Sequence, residues 1–422
     1  MKIYTSKIKN NRIFDKNIVE RKIKDNNENN DFYPYFLKRK RIEKGMKLED
    51  VASGICSISY LSRIENNQMI PNEDNLKLLF ERLDLDYETI KRNREENIFE
   101  ETLKKELLIG KNDLANTISD AIKSRAYTGI ELDLLILYKS ILDKSYEEAR
   151  YILSKQEMNL ELFNNNETIF YLYLFCRYLF ETNQNRRAYS QIKVLNSIQL
   201  NNNFLKSIIY DLTINLAFVM GDYEQVVKFY YMLTQNEYSY LYTKKMTFNK
   251  LRMLVASSNF TFSENIEEIQ KLKKTVDLEI KDNYTEYYYL VSISYYNNSM
   301  YEDALEKVKK IKDNSKYFPL YGFLLKRVGK DNDIKEYIKE YKNIEFSKYE
   351  SLYKEFSEYI MLALKNENSY NLFAYVKQKV LSQNSLFYDH IINDMALKEL
   401  LDVGTKSSKY KETLKYISDS SN

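Results

Sequence analysis

The residues with the most chemistry to offer lie between positions 38 and 68. Arg63 carries a guanidinium that can take a guanine edge bidentately, sit on a phosphate, or pair with a neighbouring acid. Around it stand Ser57, Ser59, Ser62, Asn66, Asn67 and Gln68, short polar side chains able to bond a nucleic-acid backbone or a base edge. Upstream, Lys38, Arg39, Lys40 and Arg41 form a cationic run that suits phosphate, and that would also serve as a solvated helix face. The charge distribution points the same way. The formal net charge is +3, yet residues 1–44 hold thirteen Lys/Arg against six Asp/Glu. A basic end on a near-neutral body fits nucleic-acid binding confined to that end. Residues 1–30 read equally well as a solvated polar tail.

Other chemistries find little support. The sole histidine is His390, and there is no glycine-rich phosphate loop, nucleophile elbow or metal-ligand spacing. No enzyme activity, metal or cofactor is expected. The two cysteines, Cys56 and Cys176, are far apart and form no disulfide framework, which fits a reducing cytoplasm. Cys56 is expected to be a buried, inert packing residue. No stretch of 18 uncharged apolar residues occurs and the N-terminus lacks an apolar core, so neither a membrane span nor a secretory signal is expected.

The elements that must position the polar cluster are helices. Only 8 Gly and 3 Pro occur, too few for a fold built on tight turns. Residues 1–30 read as a flexible basic arm, 31–92 as a compact helical domain, and 93–422 as a helical repeat domain. Within the second, a helix over Pro34–Lys44 turns Phe36, Leu37 and Ile42 inward and stops at Gly45. A second begins near Leu48 and carries Val51 and Ala52. A third follows Gly54-Ile55-Cys56 with Ser57 as its N-cap and Leu61 and Ile64 in the core. Pro71, Asn72 and Glu73 open a fourth, with Leu76, Leu79 and Leu83 on one face.

From about residue 95, helical apolar periodicity is broken by polar turns near 110–112, 143–145, 183–185, 221–223, 258–259, 298–300, 329–331, 366–368 and 403–404. Their spacing of about 31–40 residues is that of stacked helix pairs, close to the tetratricopeptide period. Asp143-Lys144-Ser145-Tyr146-Glu147-Glu148-Ala149 and Asn298-Ser299-Met300-Tyr301-Glu302-Asp303-Ala304 share one layout, and Gly221-Asp222-Tyr223-Glu224-Gln225-Val226 is a degenerate copy. The aromatic opens the second helix of a pair, and the small residue lets the two helices approach. Each pair leaves an apolar face that only a neighbour can cover. The expected fold is all-α: an N-terminal helix-turn-helix domain followed by a right-handed α-solenoid of tetratricopeptide-like pairs.

Residues 33–86 resemble the Cro/repressor-type helix-turn-helix. The matching positions are Leu37, Arg41, Met46-Lys47-Leu48, Val51-Ala52, Ser59 through Asn66, Pro71, Leu76, Leu79 and Leu83. Asn67 stands where that family usually has glycine, and Asn also tolerates the left-handed conformation. The resemblance puts the third helix in the DNA major groove, so Ile58, Ser59, Ser62 and Arg63 are expected at base edges, with Tyr60 a further DNA-binding candidate. Ser57, Asn66 and Asn67, with Lys38, Arg39 and Arg41, are expected on the backbone. Such a domain joined to these repeats resembles the RRNPP family of Gram-positive peptide-pheromone regulators, with the run Gly54 through Asn66 closest to its PlcR-like members.

That resemblance implies a homodimer on inverted-repeat double-stranded DNA, with a short signalling peptide on the concave face of the repeats. Asn can grip an extended peptide backbone, and Tyr pockets take apolar side chains. Asn215, Asn249, Arg252, Tyr288, Tyr295 and Tyr321, on first helices of mid-array pairs, are the candidate peptide contacts. Two further readings stay open. In one the array only dimerises or holds a protein partner. In the other the chain is a scaffold that no longer binds DNA.

Overall fold

A computed structural model describes residues 19–20, 32–66, 68–69, 71–95, 100, 103–104, 107, 129–157, 160, 163, 165–279, 284–328 and 331–420. The basic arm, apart from Val19–Glu20, and Asn67 therefore lie outside the described residues. Every regular element among those described is helical.

The N-terminal helices are α1 (Phe32–Glu43), α2 (Leu48–Ala52), α3 (Ile58–Glu65), α4 (Glu73–Arg82) and α5 (Tyr87–Glu95). Local chemistry sets their ends. Gly45 takes φ +66 after α1, so the Met46 N–H turns back to the Arg41 carbonyl at 3.0 Å and closes the helix. Ser57 Oγ accepts the Tyr60 N–H at 3.1 Å and caps α3, and Asn72 Oδ1 accepts the Asp74 N–H at 2.8 Å and caps α4. Leu37, Val51, Leu61, Ile64, Leu79 and Phe80 fill the core between them. Two expectations fail here. Ile42 is 59% exposed, because it sits on the far side of α1 from Phe36 and Leu37. Cys56 is half-buried rather than enclosed, with its thiol pushed up by burial, the state least inclined to react.

The remaining helices come in pairs: α6 (Gly129–Leu142) with α7 (Tyr146–Glu157), α8 (Asn165–Glu181) with α9 (Asn185–Asn196), and α10 (Asn203–Met220) with α11 (Tyr223–Thr234). After α12 (Thr243–Glu279) come α13 (Tyr284–Asn297) with α14 (Tyr301–Val308), α15 (Phe318–Val328) with α16 (Asp331–Glu340), α17 (Ser351–Leu364) with α18 (Ser369–Tyr375), and α19 (His390–Lys406) with α20 (Tyr410–Ser420). This long helical series is consistent with an α-solenoid.

One turn geometry recurs. Lys144, Asn183, Gly221, Ser299 and Asn366 all have φ between 58° and 74°, and each follows the first helix of its pair. In each case the next residue's N–H bonds the carbonyl five residues back, as from Gln184 to Leu179 at 2.8 Å and from Met300 to Tyr295 at 3.0 Å. A left-handed residue ends each first helix and sends the chain back. The turns expected at 143–145, 183–185, 221–223, 298–300 and 366–368 are these.

Two turns differ from expectation. α12 is helical throughout, including residues 258–259, yet it folds back. Lys250 Nζ meets Glu268 Oε1 at 2.5 Å, and Asn265 Nδ2 donates to the Leu254 carbonyl at 3.0 Å. A straight helix would hold residues 250 and 268 about 27 Å apart, so α12 is two arms joined at a sharp bend. The last turn falls at Ser408 (φ 58) instead of 403–404, because Gly404 lies inside α19, where its bare Cα lets Thr413 of α20 pack close. The turn expected at 110–112 lies outside the described residues; of the one expected at 329–331, residues 329–330 do, and Asp331 already begins α16.

By contacts the chain forms two compact units. One comprises residues 1–178 with 194–205, the other residues 179–193 with 206–422.

Candidate functional site

The polar cluster is arranged on α3 by helical phase. Leu61, Ile64 and Glu65 point inward. Ser59, Ser62, Arg63 and Asn66 follow at the three-and-four spacing that makes one outward stripe. Ser59, Arg63 and Asn66 are exposed and Ser62 is half-buried, while Ile58 heads the helix with half its surface exposed. Arg63 makes no side-chain hydrogen bond or ion pair among the described residues, so its fork is free for an external acceptor. Ser57 spends its oxygen on the cap. Tyr60 is half-buried, and its hydroxyl accepts the Asn72 N–H at 3.3 Å, which pins the α3–α4 connection to the helix.

The cationic run on α1 divides by function. Lys38 Nζ donates to Asn66 Oδ1 at 2.9 Å, linking α1 to the end of the stripe. Arg39 and Lys40 both bond Glu43, at 2.7 and 2.8 Å, so part of their charge is already answered. Arg41 is reassigned: its guanidinium grips buried Glu65 with two bonds of 2.7 Å and adds a third to the Met46 carbonyl at 3.0 Å. The Glu65 hydrogen bond holds the Arg41 proton more tightly than usual. Arg41 braces α1 against α3 and has no fork left for phosphate.

The expected peptide contacts separate in the same way. In the second unit, Asp211, Asn249, Arg252 and Glu286 form one chain across α10, α12 and α13. Asn249 Nδ2 donates to Asp211 Oδ1 at 2.8 Å, Arg252 Nη1 donates to Asn249 Oδ1 at 3.3 Å, and Arg252 Nη2 pairs with Glu286. Asn215 turns back on its own helix, donating to the Asp211 carbonyl at 2.6 Å. Tyr288 lies under Lys310 at 4.8 Å. Tyr295 is buried. Tyr321 is only 1% exposed, because Phe318 and Tyr337 enclose its ring, so it is core and not lining.

Four tyrosines that sequence does not single out as ligand contacts stand in this region instead. Tyr289 stacks on Tyr317 with ring centres 4.2 Å apart, and Tyr353 donates its hydroxyl to Asp389 Oδ2 at 3.1 Å. Burial, and after it the Asp389 charge, pushes the Tyr289 and Tyr353 phenols well up; for Tyr317 burial leads, followed by Glu286. Tyr223 joins them, pushed up to about 12 by burial first. The sequence holds one usable signal for this group. Tyr287, Tyr288 and Tyr289 are consecutive, so only helical phase selects which one faces the chain.

Among the described residues no group of three His, Cys, Asp or Glu is placed to hold a metal ion, and no helix is long and apolar enough to cross a membrane.

Residues 37–90 match the family model described as helix-turn-helix. Over 125 residues the chain is 30% identical to the transcriptional activator NprA of Geobacillus stearothermophilus. The match covers 30% of this chain and spans 22% of that protein's length. No solved structure matches the chain.

Proposed function

We propose that this chain is a sequence-specific DNA-binding transcription regulator that reads the major groove with α3. The observation that carries the reading is the outward stripe Ser59, Ser62, Arg63 and Asn66 on a helix whose opposite face is locked in a core, inside the segment that matches helix-turn-helix domains. Short polar groups beside one free guanidinium are what base readout needs. Lys38, Arg39 and Lys40 supply phosphate attraction from α1. The transcriptional role is supported by the similarity to an activator.

In this reading residues 31–92 are the DNA-binding domain and 93–422 the sensor, a cytoplasmic homodimer on an inverted repeat. A short signalling peptide occupies the array near Asn249, Arg252, Tyr289 and Tyr317, where a guanidinium, an amide and stacked phenols stand together. One observation favours a second reading, in which the array only dimerises or holds a protein partner: Arg252 and Glu286 already answer each other's charge. Isothermal titration of the full chain with pooled apolar heptapeptides separates the two. Saturable heat supports the peptide, and its absence supports the partner. For the DNA role, fluorescence anisotropy on a selected operator should show Arg63→Ala losing affinity and base preference at one position. Unchanged affinity and preference would remove α3 from the interface.

A further inference from the structure

A stack of helix pairs normally makes contacts only from neighbour to neighbour. The second unit departs from this. Asn183 Nδ2 donates to the Tyr349 carbonyl at 2.8 Å, and Asn185 Nδ2 donates to the Tyr388 carbonyl at 2.7 Å, across sequence separations of 166 and 203 residues. The His390 ring lies against Gly221 so closely that an added Cβ would stand 2.5 Å from it, and it meets the Tyr223 ring edge-on at 5.8 Å. Tyr296 of α13 donates to Asp394 of α19 at 2.5 Å. The turns after α8 and α10 and one face of α13 thus meet the start of α19.

These contacts differ from the apolar faces between consecutive helices. Consecutive helices bury continuous rows of Leu, Ile, Phe and Tyr. The closure uses amide-to-carbonyl bonds, one imidazole seated on a glycine, and one phenol on a carboxylate. It is also imperfectly satisfied. Asn185 gives its NH2 to Tyr388 and keeps its own oxygen buried with no donor among the described residues, a standing cost while the contact is closed. A joint made of few polar contacts, one of them half-met, parts before a packed apolar face does.

The joint also borders the tyrosines beside Arg252, since the Asp389 charge acts on Tyr289 and Tyr353. Asp389, next to His390, caps α19 by accepting the Ile391 and Ile392 N–H groups and takes the Tyr353 hydroxyl. Tyr223, on the other side of the joint, stands against His390.

We propose that this joint is a gate: the start of α19 parts from the turns at 183–185 and 221–222, and the parted form opens the cluster around Arg252, Tyr289 and Tyr317 to ligand. The gate itself stands on the contacts above; only the ligand it admits rests on the peptide reading.

The test uses the full chain with spin labels on Ser190→Cys and Thr405→Cys, in a Cys56→Ser background, both labelled positions being exposed. Pulsed electron-spin distance measurement should give one distance in the otherwise native chain. The His390→Ala/Asn185→Ala chain should add a longer-distance population amounting to at least a tenfold rise in the open fraction, with helical content kept. A single unchanged distance in the folded double variant would overturn the gate. If that variant loses its helical signal, Asn185→Ala alone, which removes the bond to the Tyr388 carbonyl, is read in the same way, and an unchanged distance there would overturn it too. Heptapeptide titration is independent of this readout. Heat from neither chain, beside a shifted distance, sinks the peptide reading and leaves the gate.

Discussion

On α3 the Arg63 guanidinium reaches outward and bonds no side chain among the described residues. On α12 the Arg252 guanidinium is held between Asn249 and Glu286. The same group serves two ends. In the N-terminal domain one buried pair, Arg41–Glu65, holds the helices, and the outward stripe keeps Ser59, Ser62 and Arg63 exposed or half-exposed while Asn66 is tied to Lys38. In the array the polar groups turn into the body. Glu399, fully buried on α19, pairs with Lys326 and Arg327 of α15 and accepts the Tyr359 hydroxyl of α17 at 2.8 Å. Open donors make a reading surface, whereas satisfied ones fix which helix lies against which.

The sharpest way to break this contrast is to remove a buried partner in each region. Glu399→Ala strands Lys326 and the Tyr359 phenol and leaves Arg327 with Asp402 alone, and Glu65→Ala strands the Arg41 fork. Each should cost about 3–5 kcal/mol, read by urea titration of helical circular dichroism, since an uncompensated buried charge is the penalty. The apolar replacement Arg41→Met/Glu65→Leu should recover most of the loss. A cost under about 1 kcal/mol for Glu65→Ala would mean the pair is not a brace.

A purely steric change comes next. Gly322 of α15 faces the Tyr337 ring with no room for a methyl group. Gly322→Ala should destabilise the array by about 1–3 kcal/mol through overpacking, with DNA affinity of the folded chain unchanged. A neutral melt would show that Tyr337 can step aside.

Arg63→Ala should do the reverse, lowering operator affinity by about 1–3 kcal/mol in anisotropy titrations while moving the urea midpoint by less than about 0.5 kcal/mol. A large stability loss would place Arg63 among the braces and erase the distinction. The smallest effect is expected at Ser57→Ala, about 1 kcal/mol of stability from the lost α3 cap. No loss would mean that the Ser57–Tyr60 bond exchanges freely with water.

How far each region was legible from sequence follows the same division. The starts of α3 and α4 and the stop at Gly45 are legible because caps and left-handed turns act within a few residues, as Ser57, Asn72 and Gly45 do. The repeat turns at Lys144, Asn183, Gly221 and Ser299 were legible for that reason too. In sequence Arg41 looks like its neighbours Lys38, Arg39 and Lys40, and only the fold brings Glu65 to it. Tyr288 and Tyr289 differ by one residue, 100° of helix, a phase that packing decides and sequence alone does not. Bonds such as Asn185 to Tyr388 leave no local trace at all, since both partners look like ordinary turn residues.

The most direct test of the central claim is selection of double-stranded DNA by the purified full chain from a random pool, repeated with Arg63→Ala. A regulator that reads DNA through the α3 stripe should enrich an inverted repeat, and Arg63→Ala should relax one position in each half-site. Absence of enrichment from the native chain, or an identical motif from both proteins, would contradict it.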